Sequence, residues 1–136
     1  MIPFRLTFQP GVSLCDQVVY AVKRAVVAGK MRPGDPFPSV RTLSKELKIN
    51  PNTAHKAVTQ LVREGLLEVL VGQGTIVSSL PTPGATERSR LLREEMERLV
   101  VEAKKLGMEL DDLLSGVSRY WQRLGVNEEV ESREKR

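Results

Sequence analysis

Residues 34–77 read GDPFPSVRTLSKELKINPNTAHKAVTQLVREGLLEVLVGQGTIV, and they contain the signals of two short helices joined by a tight turn. Ser39 suits the N-cap of the first helix, because its hydroxyl can accept a hydrogen bond from a backbone N–H of the first turn. Asn50 is the predicted N-cap of the next helix. Pro51 suits the first position of that helix, where its missing N–H has no intrahelical partner anyway. Apolar residues recur at helical spacing in both segments, so each helix has a face to bury.

A short hairpin is predicted directly after these helices. Residues 67–71 and 75–77 are β-prone and are separated by Gly72-Gln73-Gly74, whose glycines can adopt the positive φ of a tight turn. An earlier helix beginning at Ser13 completes the unit. Three helices followed by a hairpin predict a winged helix-turn-helix, a module that places one helix in a DNA groove. The predicted fold class is mainly α with a small β-hairpin wing.

The chain divides by composition into four segments. Residues 1–79 form the predicted winged helix-turn-helix domain, with residues 1–12 as a short extended arm. Residues 80–86 are rich in proline and small residues and are predicted to be a linker. Residues 87–125 contain two amphipathic helices separated at Gly107 and are predicted to be a helical dimerisation region. Residues 126–136 are mostly charged and are predicted to be a disordered tail.

The two C-terminal helices carry an apolar stripe that a helical hairpin would cover only in part. Along the first helix the apolar residues are spaced by four and three, as in a heptad repeat. A pair of helices from each subunit would complete a four-helix cluster, so a homodimer is predicted. The predicted interface comprises Leu92, Met96, Leu99, Ala103, Leu106, Leu110, Leu114, Val117 and Trp121.

Charge and composition restrict the class of partner. The first 80 residues hold 10 Lys or Arg and 5 Asp or Glu, so the basic excess of the chain lies there and suits a polyanion. Aromatic residues are only 4% of the chain, which argues against a stacking platform for single strands. The single cysteine, Cys15, excludes an intramolecular disulfide and suits the reducing cytosol. No apolar run is long enough for a membrane span, so a cytoplasmic location without membrane contact is expected.

The same motifs resemble the GntR family of bacterial transcription regulators. The resemblance covers roughly residues 13–77, and the short C-terminal part resembles the YtrA-like branch of the family, which lacks a large effector domain. The matching elements are Gln17-Val18, Gly34-Asp35, Pro38-Ser39-Val40-Arg41-Thr42-Leu43, Asn50-Pro51-Asn52-Thr53, Arg63-Glu64-Gly65-Leu66-Leu67 and Gly72-Gln73-Gly74-Thr75.

The resemblance implies which residues contact DNA. Arg41 matches an arginine that grips the major groove, and the start of the next helix matches positions that reach bases and phosphates. The wing tip matches a segment that approaches the minor groove. Arginine can bond guanine through two donors at once, and asparagine can bind adenine in a similar way. The implied DNA-binding residues are Ser39, Arg41, Asn50, Asn52, Thr53, His55, Lys56, Gly72, Gln73, Gly74 and Thr75.

The predicted function is sequence-specific transcription regulation, expected to be repression, through a double-stranded inverted-repeat operator bound by a homodimer. The alternative is a winged-helix adaptor that binds proteins without DNA, but the polar and cationic side chains at 52, 55, 56 and 59 favour DNA. One histidine, one cysteine and carboxylates spread along a helix provide no catalytic set, so an enzyme is not expected. No cofactor or metal is expected. Any small-molecule effector is expected at the dimer interface or between the C-terminal helices and the winged domain, because the short C-terminal part has no room for a ligand pocket of its own.

Overall fold

A computed structural model of the chain describes residues 2, 4–79 and 85–134, with the backbone alone for 126–134. The chain forms two compact units, residues 1–80 with 124–136 and residues 81–123. The elements of the first unit, in chain order, are α1 (Leu14–Val27), α2 (Val40–Leu47), α3 (Pro51–Arg63), β1 (Leu67–Leu70) and β2 (Gly74–Val77). The predicted order of three helices and a hairpin is confirmed.

The three helices of the first unit begin at the predicted caps. The Ser13 hydroxyl accepts from the backbone N–H of Asp16 at 3.3 Å, and α1 starts at the next residue. Ser39 and Asn50 cap α2 and α3 in the same manner. These bonds satisfy backbone donors that have no partner inside the helix, and they therefore set where each helix begins.

A single apolar core joins α1 to α3. Ala54 and Ala57 of α3 are fully buried, and their small side chains allow the two helices to approach closely. At the edge of this contact the Lys23 ammonium lies 3.0 Å from the Glu64 carboxylate. The largest fully buried side chains are Leu43, Leu61, Leu67, Val18, Val22 and Val77. Since these come from α1, α2, α3 and the hairpin, one core holds all of them.

The hairpin is extended by a third segment of backbone. β1 and β2 pair antiparallel, with Leu67 opposite Val77. The residues before α2 pair along the other edge of β2, where the Phe37 N–H donates to the Thr75 carbonyl and the Val77 N–H donates to the Asp35 carbonyl, at 2.8 and 2.9 Å. The sequence predicted a two-stranded ribbon and missed this pairing, because an isolated bridge at Pro36 has no local pattern.

The N-terminal arm packs into the core. Phe4 is only 7% exposed, and its ring stacks on that of Phe37 with centroids 6.3 Å apart. The Gln17 side chain fastens the end of the arm to α1. It accepts from the Gln9 N–H at 2.8 Å and donates to the carbonyls of Gln9 and Val12. The arm is therefore a structural part of the domain.

The described residues after the hairpin are mainly helical. Their elements are α4 (Ala85–Arg90), a π-helical turn (Leu91–Glu95), α5 (Met96–Lys105) and α6 (Leu110–Glu134). The second unit ends at Arg123, so the last part of α6 is assigned to the first unit. The predicted break at Gly107 is confirmed, and that residue has a φ of +74°. Of the predicted linker, residues 80–84 lie outside the described residues. Residues 85 and 86 belong to α4, because no Gly or Pro follows residue 84 until Gly107.

The last helix is longer than the sequence indicated. Residues 126–134 were predicted to be disordered, but α6 continues through them to Glu134. This stretch has no proline or glycine, and four of its nine residues are glutamate, which is a good helix former. The high charge of this segment therefore did not correctly indicate a disordered backbone. Residues 135 and 136 lie outside the described residues.

Burial of the arm leads to a stability prediction. We expect Phe4→Ala to lower the free energy of unfolding by about 3 kcal/mol, because it removes a stacked and buried ring. Tyr20→Ala is the matched control, since Tyr20 is exposed on α1 and its loss should change stability by less than about 0.5 kcal/mol. Urea unfolding of the full-length proteins, followed by circular dichroism, measures both. Equal losses in the two variants would contradict the assigned role of the arm.

Candidate DNA-binding surface

The outer face of α3 is polar because its opposite face is committed to the core. Ala54, Ala57, Val58 and Leu61 are buried, which turns the remaining positions of the helix outward. Asn52, His55, Lys56 and Thr59 are exposed, and Thr53 is partly buried beside them. The four exposed residues provide hydrogen-bond donors, acceptors and one positive charge on a continuous strip. Such a strip matches the base edges and phosphates of a duplex.

Asn50 is the N-cap of α3. Its side-chain oxygen accepts from the Asn52 N–H at 2.7 Å, so the cap holds the orientation of its amide group. A two-point contact with adenine requires both the oxygen and the nitrogen of an asparagine. Asn52 is exposed, and its side chain makes no hydrogen bond to another described residue. The two asparagines therefore differ, because the cap constrains the amide of Asn50, whereas the amide of Asn52 is free to turn toward a base.

Ser39 and Arg41 differ in a similar way at the start of α2. The Ser39 hydroxyl accepts from the Thr42 N–H at 3.2 Å and donates to the Thr42 hydroxyl at 3.0 Å, so its main contacts are internal. Arg41 is exposed and pairs with no acidic side chain in the described part of the chain. Its guanidinium group keeps all of its donors available for a ligand.

Lys45 was not singled out by the sequence analysis, yet it lies beside Arg41 on this surface. It is exposed one turn further along α2 and has no acidic partner among the described residues. The signal that could have identified it was the spacing of four residues between two cations on one helix, which places them on the same face. The cationic surface of α2 is therefore wider than predicted.

The wing tip carries no charged side chain. Its turn comprises Val71, Gly72 and Gln73, and Val71 is fully exposed. Gly72 has a φ of +81°, and a side chain there would meet no atom of the chain within 4 Å. Backbone conformation rather than crowding therefore explains the glycine. Thr75 was grouped with the tip, but it lies within β2 and is partly buried opposite Val69. Residues 67–77 contain no lysine or arginine.

Cys15 has the environment of a structural cysteine rather than of a reactive one. Its side chain is partly buried against the core. Burial raises the pKa of the thiol, the Asp16 carboxylate raises it further, and the Lys56 ammonium acts in the opposite direction. The thiol is therefore protonated at neutral pH and is a weak nucleophile. Among the described residues, no three His, Cys, Asp or Glu side chains gather in a group that could hold a metal ion.

A groove of about 320 Å³ lies between the N-terminal arm and α1. Arg5, Thr7, Gln9, Tyr20 and Arg24 contribute to its walls. This volume is at the lower end of the range for ligand sites. The sequence predicted an effector site only where the C-terminal helices take part, at the dimer interface or against the winged domain. It overlooked this groove because the arm was not expected to pack on α1.

Comparison with known proteins identifies the family. The family model described as bacterial regulatory proteins, gntR family, matches residues 14–77. The HTH-type transcriptional repressor YtrA of Bacillus subtilis (strain 168) is 36% identical over 99 residues, which cover 72% of this chain and 76% of YtrA. The HTH-type transcriptional regulator YhcF of the same strain is 30% identical over 109 residues, which cover 80% of this chain and 87% of YhcF. The chain belongs to the GntR family. It is thus a DNA-binding transcription regulator, in a family of regulators rather than enzymes.

Solved structures support the same fold for this GntR protein. The crystal structure of a transcriptional antiterminator from Listeria monocytogenes EGD-e has a TM-score of 0.77 at 22% identity, over 88% of this chain and 92% of that one. YtrA from Sulfolobus acidocaldarius, a GntR-family transcription factor, has a TM-score of 0.52 at 23% identity, over 88% and 97% of the two chains. Within the described residues, no helix combines the length and apolar character needed to cross a bilayer.

The cap at Asn50 leads to a test that separates stability from binding. Asn50→Ala removes the cap and should lower the free energy of unfolding by about 1 kcal/mol. Asn50→Asp keeps the accepting oxygen and should remain within about 0.5 kcal/mol of the wild type, because both residues are good N-caps. Its negative charge should nevertheless weaken DNA binding. Chemical unfolding and gel-shift titration measure the two effects. An Asn50→Ala protein as stable as Asn50→Asp would exclude the capping role.

Proposed function

We propose that this GntR protein is a homodimeric repressor that binds an inverted-repeat operator. The observation that carries the proposal is the exposed face of α3, where Asn52, His55, Lys56 and Thr59 stand outward while the opposite face is buried. A protein-binding adaptor would instead present apolar or acidic residues on this face. The chromosome is the target of such a regulator, so the proposed location is the cytoplasm.

The residues of the surface have different proposed roles. Arg41 binds guanine in the major groove, because its guanidinium can donate to O6 and N7 together. Asn52 reads a base edge, whereas Asn50 donates a single hydrogen bond to a base or phosphate. Lys56 binds the phosphate backbone and contributes affinity at every sequence. The wing contributes shape rather than charge, since Gly72 and its neighbours bring the backbone close to the duplex without a cation.

Arg41 provides the most direct test of sequence-specific binding. Arg41→Ala should weaken binding to the operator by about 1–3 kcal/mol and relax the preference for one base pair in each half-site. Arg24→Ala is the charge-matched control, because Arg24 is exposed on α1 and outside the proposed surface. Gel-shift titrations against an operator obtained by selection from random duplexes compare the three proteins. An Arg41→Ala protein that binds as tightly as Arg24→Ala would refute the assignment.

Exposure of the apolar stripe supports the homodimer. Eight of the nine residues of the predicted interface are exposed within a single chain, and Ala103 alone is buried. Trp121 is the extreme case, with 80% of its surface exposed. Large apolar side chains gathered along two helices form a patch of the kind that soluble proteins cover with a partner. A second copy of the same chain would bury this stripe against its equivalent.

The dimer would also explain how a small domain achieves operator affinity. Two recognition helices on a two-fold axis reach successive major grooves when they stand roughly 34 Å apart. Each half-site alone binds weakly, but the second contact becomes intramolecular once the first is made. Repression follows if the bound dimer excludes polymerase from an overlapping promoter. An effector, if one acts, would alter the half-site spacing from the dimer interface.

Two substitutions on α5 test the interface with the same added charge. Leu99 is in the predicted interface, whereas Val101 is outside it, two residues further along the helix; they are 42% and 57% exposed. Leu99→Glu should weaken dimerisation at least about tenfold, because it would bury an unpaired carboxylate. Val101→Glu should leave the dimer intact. Sedimentation at micromolar concentration distinguishes them, and equal dissociation of both variants, or a monomeric wild type, would reject the interface.

A further inference from the structure

Four of the described helices end with the same backbone geometry. In each, the N–H of one residue donates to a carbonyl five residues earlier, and the residue just before the donor has a positive φ. This closure satisfies carbonyl groups that the helix end would otherwise leave without partners. The four bonds, at 2.9–3.0 Å, are Lys30 to Ala25, Ile49 to Ser44, Leu66 to Leu61 and Met108 to Ala103.

Three of these closures use glycine and one does not. Gly29, Gly65 and Gly107 occupy the left-handed position at the ends of α1, α3 and α5. At the end of α2 the position belongs to Lys48, with φ 57° and ψ 46°. Among the described residues, Lys48 is the one residue other than glycine with a positive φ. A side chain in this conformation brings its Cβ close to the backbone carbonyl, and glycine avoids that contact.

No contact among the described residues of the domain explains the choice of lysine. Lys48 is exposed, and its ammonium pairs with no acidic side chain in the described part of the chain. The backbone bonds of the closure require no side chain at this position. A lysine here therefore stabilises neither the helix end nor the core by any contact visible in the fold. A residue in a strained conformation without a structural partner points to a functional role.

The position of Lys48 indicates what that role is. It lies in the turn between α2 and α3, two residues before Asn50, and follows Arg41 and Lys45 along the chain. In a helix-turn-helix the first helix crosses the DNA backbone while the second enters the groove. We propose that Lys48 binds a backbone phosphate of the DNA duplex. This inference rests on the proposed function and extends the binding surface from the two helices to the turn between them.

The chemistry of lysine fits a phosphate better than a base. Its ammonium is a compact charge on a flexible stem, which suits a contact that requires position rather than planar geometry. A phosphate contact carries no sequence information, so the contribution of Lys48 should be similar for an operator and for an unrelated duplex. Each neutralised phosphate releases counterions, which makes the contribution depend on salt.

The test uses two charge-matched substitutions in the full-length protein. Lys48→Gln removes the proposed contact, and Lys30→Gln removes an exposed lysine next to a helix end outside the helix-turn-helix. Binding to an unrelated duplex of three helical turns is measured by fluorescence anisotropy over a range of salt. Lys48→Gln should weaken binding about tenfold and flatten the salt slope by about one unit for each bound subunit. Lys30→Gln should match the wild type, and Lys48→Arg should retain the wild-type slope.

A third substitution tests the conformational argument separately. Lys48→Gly should bind DNA as weakly as Lys48→Gln. It should unfold at a temperature about 2–5 °C higher than that of Lys48→Gln, since glycine relieves the left-handed strain.

Failure of the phosphate contact and failure of the proposed function would give different results. If the wild type and Lys30→Gln bind and Lys48→Gln binds equally well, the phosphate contact is overturned. If the wild type itself shows no salt-dependent binding, the proposed function fails first. A Lys48→Gly protein that is no more stable than Lys48→Gln would contradict the claim that the conformation of Lys48 is strained.

Discussion

The packing of α1 against α3 determines the orientation of the whole candidate surface. Val18 and Val22 of α1 and Ala54 and Ala57 of α3 belong to one buried cluster, so one stripe of the recognition helix is committed to the core. Rotating α3 about its axis would expose these side chains and bury Asn52 or Lys56 without partners. The apolar contact therefore sets the direction of the polar face. Because α3 is held in this way, its polar surface needs little rearrangement to contact the bases of DNA.

A second constraint joins the wing to the helices. The backbone before α2 pairs with β2, and Phe37 at the end of that pairing stacks on Phe4 of the arm. Displacing the wing would break ladder hydrogen bonds and disturb the stacked rings together. The hairpin is thus an integral part of the same core, since Leu67 and Val77 at its base are buried. This rigidity fits a wing that contributes shape to a DNA complex.

The exposed positive charge near the candidate surface comes from α2, α3 and the turn between them. The wing carries Glu68 and no basic residue, whereas Arg41, Lys45, Lys48 and Lys56 are exposed around the helix-turn-helix. Attraction to DNA would therefore concentrate where α2 crosses the backbone and α3 enters the groove. The groove between the arm and α1 also contains two arginines, and its wall is the helix that supports α3. A molecule bound there would contact the scaffold of the recognition helix rather than its surface.

The sequence alone determined the three helices and the hairpin of the first unit, their order and the polar face of α3, because caps, glycines and apolar spacing are local signals. Ser39, Asn50 and Pro51 marked helix starts correctly, and Gly72 marked the hairpin turn. Tertiary structure decided the features that depend on residues distant in the chain. The stacking of Phe4 on Phe37 and the pairing of residues 34–37 with β2 have no local pattern. That the side-chain oxygen of Asn50 is the atom used in the cap required atomic distances. The left-handed conformation of Lys48 required the backbone path of the turn, which no single residue specifies.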